Sequence, residues 1–229
     1  MSHDDFAFEP VKGLPEELPA GEEILWQGAP DWVSLAKRAF FVRAVGVYFV
    51  ILATWRIFEA VNGGSGIASG LLDAAALLPV AASALIVLGL LAYAYAQSTV
   101  YTLTNRRAVM RYGVALPMTI NLPLNQIDSA AVRVHRDGTG DIPMVLADTN
   151  NIAFLALWPN ARPWHMSKAQ PMFRAIKQPA AVAKVLTDAL STEAQSFSAQ
   201  QYTSQTTHTD TSESERTDYH AIPNIVPAE

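Results

Sequence analysis

Three arginines lie within six residues of the stretch "YTLTNRRAVMRYG": Arg106, Arg107 and Arg111. A guanidinium group binds phosphate oxygens through paired N–H donors, so this group could bind an anionic ligand or the headgroups of a membrane. The same arginines follow a long apolar run, and basic residues beside a membrane span mark its cytoplasmic side. Together with Arg133 they are candidate contacts to a membrane surface or a protein partner. Topology and headgroup contact explain them better than a specific anion site.

The segment "HRDGTGDIP" comes nearest to a metal site, because it contains His135, Asp137 and Asp141. Its glycines favour a hairpin turn in which the carboxylates face the solvent. His165 and Met166 are adjacent, and the side chains of adjacent residues diverge, which disfavours a shared haem. No histidine lies within either apolar run described below, so a pigment held inside a membrane would lack an imidazole ligand. We therefore expect no metal and no cofactor.

The sequence contains no G-x-S-x-G elbow, no H-E-x-x-H motif and no phosphate-binding glycine loop. It also has no cysteine, which excludes disulfides, thiolate metal sites and cysteine nucleophiles. Asp73 lies near the start of the second apolar run, where an interfacial position explains it better than a functional acid inside the membrane. We expect that the protein is not an enzyme.

Four tryptophans complete the set of candidate contact residues. Trp26 and Trp32 lie in "ILWQGAPDW", and Trp158 and Trp164 lie in "LWPNARPW". Indole rings favour the boundary between lipid and water, so these residues are candidate contacts to a membrane surface or a partner. For the first pair, packing against the protein's own body is an equally good interpretation.

Charge is distributed unevenly along the chain. Residues 97–190 contain ten Lys and Arg against five Asp and Glu, whereas residues 1–38 contain eight acids and three bases. Residues 191–229 contain six acids and one base. A basic body can face phospholipid headgroups or nucleic acid. Its position beside apolar runs favours membrane lipids, so we expect no nucleic-acid partner.

Two apolar runs predict a transmembrane helical hairpin in residues 39–96. The first, 39–61, has 23 residues, with charged residues near its ends whose side chains can reach the interface. The second, about 71–96, contains 23 consecutive uncharged residues, more than a soluble core helix needs. The glycine-rich residues 62–70 predict a flexible connection. Basic residues flank the hairpin at the ends away from this connection, which places both termini in the cytoplasm.

After the hairpin, residues 97–190 change to strands followed by helices. "TVYTLTNRRAVMRY" predicts two strands joined by a tight turn at Asn105-Arg106, and "MTINLPLNQIDSAAVRVHR", "IPMVLA" and "IAFLALW" predict further strands. "SKAQPMFRAIKQ" and "PAAVAKVLTDAL" predict two C-terminal helices. Residues 1–38 form an acidic N-terminal segment, and residues 191–229 predict a disordered acidic tail.

Several stretches together resemble the PuhB family of photosynthetic complex assembly proteins of purple bacteria, over roughly residues 5–190. They are "GLPEELPAGEEILWQGAPDW", "LPLNQIDSAAV", "GTGDIPM" and "LWPNARPWHMSKAQPMFRAI". "YTLTNRRAVMRYG" is similar to a broader group, the bacterial PH-like domains attached to membrane helices. The resemblance implies a membrane-anchored α+β protein, with the two-helix transmembrane hairpin followed by a PH-like antiparallel β-sandwich or barrel capped by a C-terminal helix.

The resemblance also implies a function. Proteins of this family are non-enzymatic assembly factors for the reaction centre and the light-harvesting 1 complex, in the inner (intracytoplasmic) membrane of the bacterium. For this chain it implies that the hairpin and the cytoplasmic body bind reaction-centre subunits. Small residues of the second run would allow close contact with a partner helix, or would pack against the first run: Ala81, Ala82, Ser83, Ala84 and Gly89.

Two other functions stay open. The body could be a PH-like module that recognises anionic lipid headgroups, or the protein could be a permanent accessory subunit of the core complex. A homodimer also stays open.

Overall fold

The structure is a computed structural model that describes residues 13, 14, 16–147, 152–165, 168–196 and 198. The predictions for residues 1–12, for the turn at 148–151 and for most of the tail beyond 196 lie outside this part. In the described part, a strand and a short helix precede a long helical hairpin, and two antiparallel sheets and a C-terminal helix follow it.

The hairpin consists of three helices: α2 (Val42–Asn62), α3 (Gly66–Ala75) and α4 (Leu78–Ser98). By length and composition, α2 and the run 66–98 could each cross a membrane, and only 6% of the most apolar window of each is buried inside the protein. The flexible connection predicted up to residue 70 ends earlier, because α3 begins at Gly66. Gly70 allows α3 to pack closely against α2, because a Cβ at this position would lie only 2.9 Å from the Cα of Ile57.

The first sheet has the antiparallel strand order β1-β2-β3-β4, with β1 (Ile24–Gly28), β2 (Val100–Thr104), β3 (Arg107–Tyr112) and β4 (Met118–Pro123). The predicted strand pair around Asn105-Arg106 is confirmed, since Val100 pairs with Arg111. β2 is buried along its whole length. The sequence did not predict β1, which joins the edge of this sheet from the N-terminal segment.

The second sheet consists of β5 (Ile127–Ala130), β6 (Arg133–Val134), β7 (Thr139–Leu146) and β8 (Met172–Lys177), and β7 pairs with each of the others. The hairpin turn predicted from the glycines of "HRDGTGDIP" does not include Gly140 or Asp141, because both residues lie inside β7. The turn lies at Gly138, whose φ is 77°. The predicted helix in "SKAQPMFRAIKQ" is also wrong. β8 takes its place, and since nearly all of its residues are buried, its apolar run resembles a segment of a buried helix.

The predicted strand in "IAFLALW" is replaced by a single helical turn, α5 (Phe154–Leu157). The Trp158 N–H donates to the Phe154 carbonyl at 3.0 Å, and the Tyr112 hydroxyl donates to the Ala156 carbonyl at 2.5 Å. A seven-residue apolar run fits a strand and a short helical turn equally well, so its sequence pattern could not separate the two.

Two further helices pack against the sheets. The short helix α1 (Trp32–Arg38) begins at Asp31, whose side chain accepts a hydrogen bond of 2.8 Å from the Ser34 N–H. The C-terminal helix α6, residues 179–196, confirms the prediction of a helix starting at Pro179, but it continues past residue 190, so the disorder predicted from residue 191 is wrong for residues 191–196. One cluster of buried apolar residues joins α1, the end of α4, both sheets and α6. The expected antiparallel sheets with a C-terminal helix are therefore present.

Candidate functional site

The turn between β2 and β3 uses one of its arginines to hold the N-terminal segment. Arg107 makes a bidentate ion pair with Glu22, in which Nε lies 2.7 Å from Oε1 and Nη2 lies 3.0 Å from Oε2. The side chain of Glu22 is only 2% exposed, and a buried carboxylate needs a charged, hydrogen-bonded partner. Arg107 therefore neutralises an acid inside the protein.

Asn105 and Thr104 hold the same segment and close the turn. The Asn105 side chain accepts a hydrogen bond from the Glu23 N–H at 3.0 Å and donates one to the Gly21 carbonyl at 2.9 Å. The Thr104 hydroxyl accepts from the backbone N–H groups of the two following arginines, at 3.2 and 3.0 Å. This polar cluster fixes β1 on the edge of the sheet. We call it the latch: Glu22, Glu23, Thr104, Asn105 and Arg107.

The other candidate arginines lie apart from one another. Arg106 is exposed in the turn at the end of β2 that points away from α4, one strand length of about 17 Å from the helix. Arg111 pairs with Val100 at the opposite end of the same strands. Arg133 is exposed on β6 of the second sheet. The four arginines thus do not form one anion site, and their contact with a membrane or a partner stays a prediction.

Two of the tryptophans lie beside the base of the hairpin. Trp32 is exposed and its ring lies edge-on to Tyr93 of α4, with centroids 6.0 Å apart. Trp158 is exposed and its ring lies edge-on to Phe40, with centroids 5.8 Å apart. Phe40 lies just before α2, so both tryptophans flank the point where the hairpin leaves the body.

The other two tryptophans lie elsewhere. Trp26 is half-buried and packs on the protein's own body, with its ring centroid 5.8 Å from that of Phe173. Trp164 is almost fully exposed in the segment between α5 and β8. Membrane or partner contact by these residues stays a prediction, and the packing of Trp26 makes it the weakest candidate.

A buried polar network, which the sequence analysis did not identify, connects the end of α4 to the sheets. The Tyr101 hydroxyl donates to Asn160 Oδ1 at 2.8 Å, and Asn160 Nδ2 donates to the Tyr95 hydroxyl at 3.0 Å. Tyr101 and Asn160 are fully buried. Burial raises the pKa of the Tyr101 phenol, which therefore stays a neutral donor. Since Tyr95 belongs to α4, this network ties the helix to strand β2.

Arg174 on β8 is the charged centre of this network. Its Nη1 donates to the Pro159 carbonyl at 2.5 Å, its Nη2 donates to the Arg38 carbonyl at 2.9 Å, and its backbone N–H donates to the Tyr101 hydroxyl at 3.3 Å. Burial lowers the pKa of the guanidinium, and the Asp141 carboxylate opposes this effect. Among the described residues its Nε has no hydrogen-bond partner. We call this cluster the joint: Arg38, Tyr95, Tyr101, Asn160 and Arg174.

The acids of "HRDGTGDIP" serve the same region. Asp141 Oδ1 accepts a hydrogen bond from the Ala175 N–H at 2.8 Å, and its Oδ2 lies 2.9 Å from Nε2 of His135. The predicted outward orientation is wrong for Asp141, because its position in β7 turns the carboxylate inward beneath β8. Asp137 pairs with Arg38, and this hydrogen bond holds the pKa of Asp137 below its usual range. In the described ranges, no group of three His, Cys, Asp or Glu residues could hold a metal ion.

The sequence offered one sign of the joint. Arg174 interrupts the apolar stretch "PMFRAI", and a charged residue inside a buried strand needs internal partners. Its partners could not be foreseen, because Arg38 and Tyr101 are 136 and 73 positions away in the sequence.

Comparison with known proteins identifies the family to which the chain belongs. Residues 39–190 match the bacterial PH domain. A Rhodobacter capsulatus protein named "Uncharacterized 23.7 kDa protein in puhA 5' region" is 38% identical over 192 residues, which cover 82% of this chain and 89% of that protein. No solved structure matches the chain. The matched domain range includes the hairpin and every described strand after β1, and the chain therefore belongs to the bacterial PH domain family.

Proposed function

We propose that this protein is a membrane-anchored, non-enzymatic assembly factor for the photosynthetic reaction centre and its light-harvesting 1 complex. The observation that carries the proposal is the 38% identity over 192 residues to the protein from the puhA 5' region. The stretches that resemble the PuhB assembly proteins extend over roughly residues 5–190 of the chain. The puh designation of the relative and the resemblance thus agree on a role linked to photosynthesis.

In this proposal, the hairpin spans the bacterial inner membrane and both termini lie in the cytoplasm. The low internal burial of α2 and α4 supports it, since only 6% of each apolar window is covered by the protein itself. The core helix of a soluble protein would be mostly buried. Basic residues flank the hairpin on the side of both termini, whereas residues 62–70 contain no Lys or Arg.

The second helix of the hairpin carries a candidate surface for a partner helix. Around the position of a Cβ at Gly89, no heavy atom lies within 4 Å, and Ala82, two turns earlier, is exposed. Gly89 therefore does not serve the packing of α4 against α2. Small side chains allow two helix backbones to approach closely in a membrane, which supports contact with a reaction-centre helix.

The latch and the joint support a binding role over a catalytic one. Their charged and polar side chains are engaged with other parts of the protein, where they hold β1 and α4 to the sheets. A body fixed in this way to the hairpin would present its surface at a set distance from the membrane. Such a scaffold suits the placement of subunits during assembly.

Affinity purification tests the proposal. The tagged chain is purified from host membranes during induction of photosynthesis, and the co-purifying proteins are identified by mass spectrometry. We expect reaction-centre and light-harvesting 1 subunits, with only substoichiometric amounts of this protein in mature complexes. Stoichiometric presence in mature complexes would indicate a permanent subunit. Absence of these subunits, with unchanged reaction-centre levels in a deletion strain under phototrophic growth, would contradict the proposal.

A matched pair of variants tests the helix surface. Gly89→Leu and Gly46→Leu both place their Cβ where no heavy atom lies within 4 Å, so the two variants are matched at the point of attachment. Gly46 lies on α2 near bulkier residues, including Phe49 and Val50. We expect Gly89→Leu to lower the co-purified subunits several-fold and Gly46→Leu to leave them unchanged. Equal yields from the two variants would exclude this face of α4 as the contact.

A further inference from the structure

We propose that the β body rests directly on the lipid bilayer through apolar side chains beside the hairpin. We call them the rim: Val114, Leu116, Leu155 and Trp158. The inference rests on the membrane anchoring in the proposed function and goes beyond it, because it gives the body a lipid contact of its own. The occupant of the rim is the interfacial region of the bilayer.

The turn between β3 and β4 lies at the end of the first sheet nearest the hairpin. β2 begins at Val100, two residues after α4, and its partner there is Arg111 on β3. β3 ends at Tyr112, whose ring centroid lies 6.3 Å from that of Tyr95 in α4. Residues 113–117 therefore leave the sheet beside α4, at the opposite end from the latch.

α5 reaches the same end from another part of the chain. The Tyr112 hydroxyl donates to the Ala156 carbonyl at 2.5 Å, which fixes α5 beside the β3–β4 turn. The Trp158 ring lies against Phe40, just before α2. The β3–β4 turn and α5 are thus both attached to the base of the hairpin.

The rim exposes large apolar side chains without charges among them. The exposed fractions are 52% for Val114, 79% for Leu116, 86% for Leu155 and 49% for Trp158. Neither residues 112–127 nor residues 152–161 include a charged residue. Exposed apolar groups of this size mark a contact surface, and aromatic rings favour the bilayer interface. The rim lies directly beside the base of the hairpin, which enters the membrane in the proposed function. The contact of the rim is therefore with lipid.

The β3–β4 part of the rim is a built turn. Gly113 has a φ of 119°, a conformation that residues with a side chain rarely adopt. A Cβ at this position would also collide with the Leu116 carbonyl oxygen and lie 3.3 Å from the Cα of Pro117. The turn therefore requires glycine, and it holds the Val114 and Leu116 side chains outside the sheet.

Spin labelling of the full chain tests the inference, and the absence of native cysteine means that one introduced cysteine reports one position. The variants Leu116→Cys and Leu155→Cys are labelled with a nitroxide and placed in nanodiscs of phosphatidylcholine and phosphatidylglycerol. Collision of the label with oxygen, which concentrates in lipid, is compared with collision with a water-soluble nickel chelate. Val87→Cys, exposed in the middle of α4, is the lipid control, and Arg106→Cys in the distal turn is the water control.

We expect both rim labels to collide more with oxygen than with nickel, like Val87→Cys, and Arg106→Cys to show the reverse. If the Val87 label is in lipid while the rim labels behave like the Arg106 label, the rim inference is overturned and the anchoring stands. A water-exposed Val87 label would overturn both. Rim labels shielded from both reagents would show contact between copies of the chain, and disagreement between the two rim labels would show that they do not form one surface. Either result would overturn the inference.

Discussion

The latch and the joint are two polar clusters at opposite ends of β2, and each depends on an arginine. At the latch, Arg107 faces the Glu22 carboxylate directly, at 2.7 Å, and holds an edge strand. At the joint, Arg174 donates to the Pro159 and Arg38 carbonyls. The hydrogen bonds of Asn160 with Tyr101 and Tyr95 tie the end of α4 to β2 in the same cluster. The comparison indicates that loss of the latch would free one strand, whereas loss of the joint would loosen the packing of α4 against the sheets.

The two arginines also differ in how their charge is balanced. The Arg107 side chain is 27% exposed, so its guanidinium is solvated by water as well as paired with the Glu22 carboxylate. Arg174 is buried, and the Asp141 carboxylate is the counter-charge that opposes the desolvation of its guanidinium. Arg174 serves two backbone carbonyls and the Asp141 carboxylate, whereas Arg107 serves one carboxylate, so substitution of Arg174 should cost more than substitution of Arg107.

Arg174→Met should have the largest effect. It leaves the Pro159 and Arg38 carbonyls without their donor and the Asp141 carboxylate without its neighbouring cation. We expect the free energy of unfolding to fall by about 3–5 kcal/mol. The measurement is denaturant unfolding of the full chain in detergent micelles, followed by tryptophan fluorescence. Arg174→Lys retains the charge without the fork and should give an intermediate loss. A loss below about 1 kcal/mol for Arg174→Met would contradict the prediction that the joint contributes more to stability than the latch.

Arg107→Met should have the next largest effect, because it leaves the Glu22 carboxylate, 2% exposed, without a cation. We expect a loss of about 3 kcal/mol in the same unfolding measurement. The double variant Glu22→Gln with Arg107→Met removes both charges and should recover part of that loss. If the double variant is instead as unstable as the sum of the single variants, the ion pair does not explain the latch.

Some elements of the fold could be predicted from the sequence, and others could not. The β2–β3 pair was predictable, because β-branched and aromatic residues flank a polar Asn105-Arg106 turn. The apolar helices and the start of α6 at Pro179 were predictable from length, charge and proline position. β8 was predicted as a helix and α5 as a strand, because short apolar runs carry no decisive periodicity.

The internal role of Arg107 could not be predicted from its neighbours in the sequence. Its partner Glu22 lies 85 positions earlier, and the Tyr101–Asn160 bond joins residues 59 positions apart. An arginine beside an apolar run fits two roles equally well: a marker of membrane topology, or the partner of an acid in an internal ion pair. Only the return of the N-terminal segment to the sheet edge separates these two roles.

Asn105→Ala sharpens the comparison with a smaller and local effect. It removes the bonds to the Glu23 N–H and the Gly21 carbonyl, so the stability should fall by about 1 kcal/mol. Hydrogen exchange should become faster in residues 24–28 and stay unchanged in the rest of the sheet. Asn121→Ala, an exposed asparagine on β4, is the matched control. Faster exchange throughout the sheet would show that the latch supports more than its edge strand.

Asp137→Asn should have the smallest effect and tests the outer end of the joint. Arg38 accepts from Arg174 through its carbonyl and donates to Asp137 through its guanidinium, at 2.9 Å. With side chains 28% and 33% exposed, the pair should contribute less than about 1 kcal/mol.

The stability difference between the native protein and Asp137→Asn should depend on pH. The Arg38 hydrogen bond holds the folded-state pKa of Asp137 below its unfolded value of about 3.9, so the contribution is present above about pH 4 and is lost as the pH falls through the folded pKa. Unfolding free energies of the two proteins should therefore differ at neutral pH and converge in acid. A difference that stays constant with pH would mean that the charge of Asp137 does not contribute, because the hydrogen bonds from Arg38 and from Thr139 all favour the ionised carboxylate.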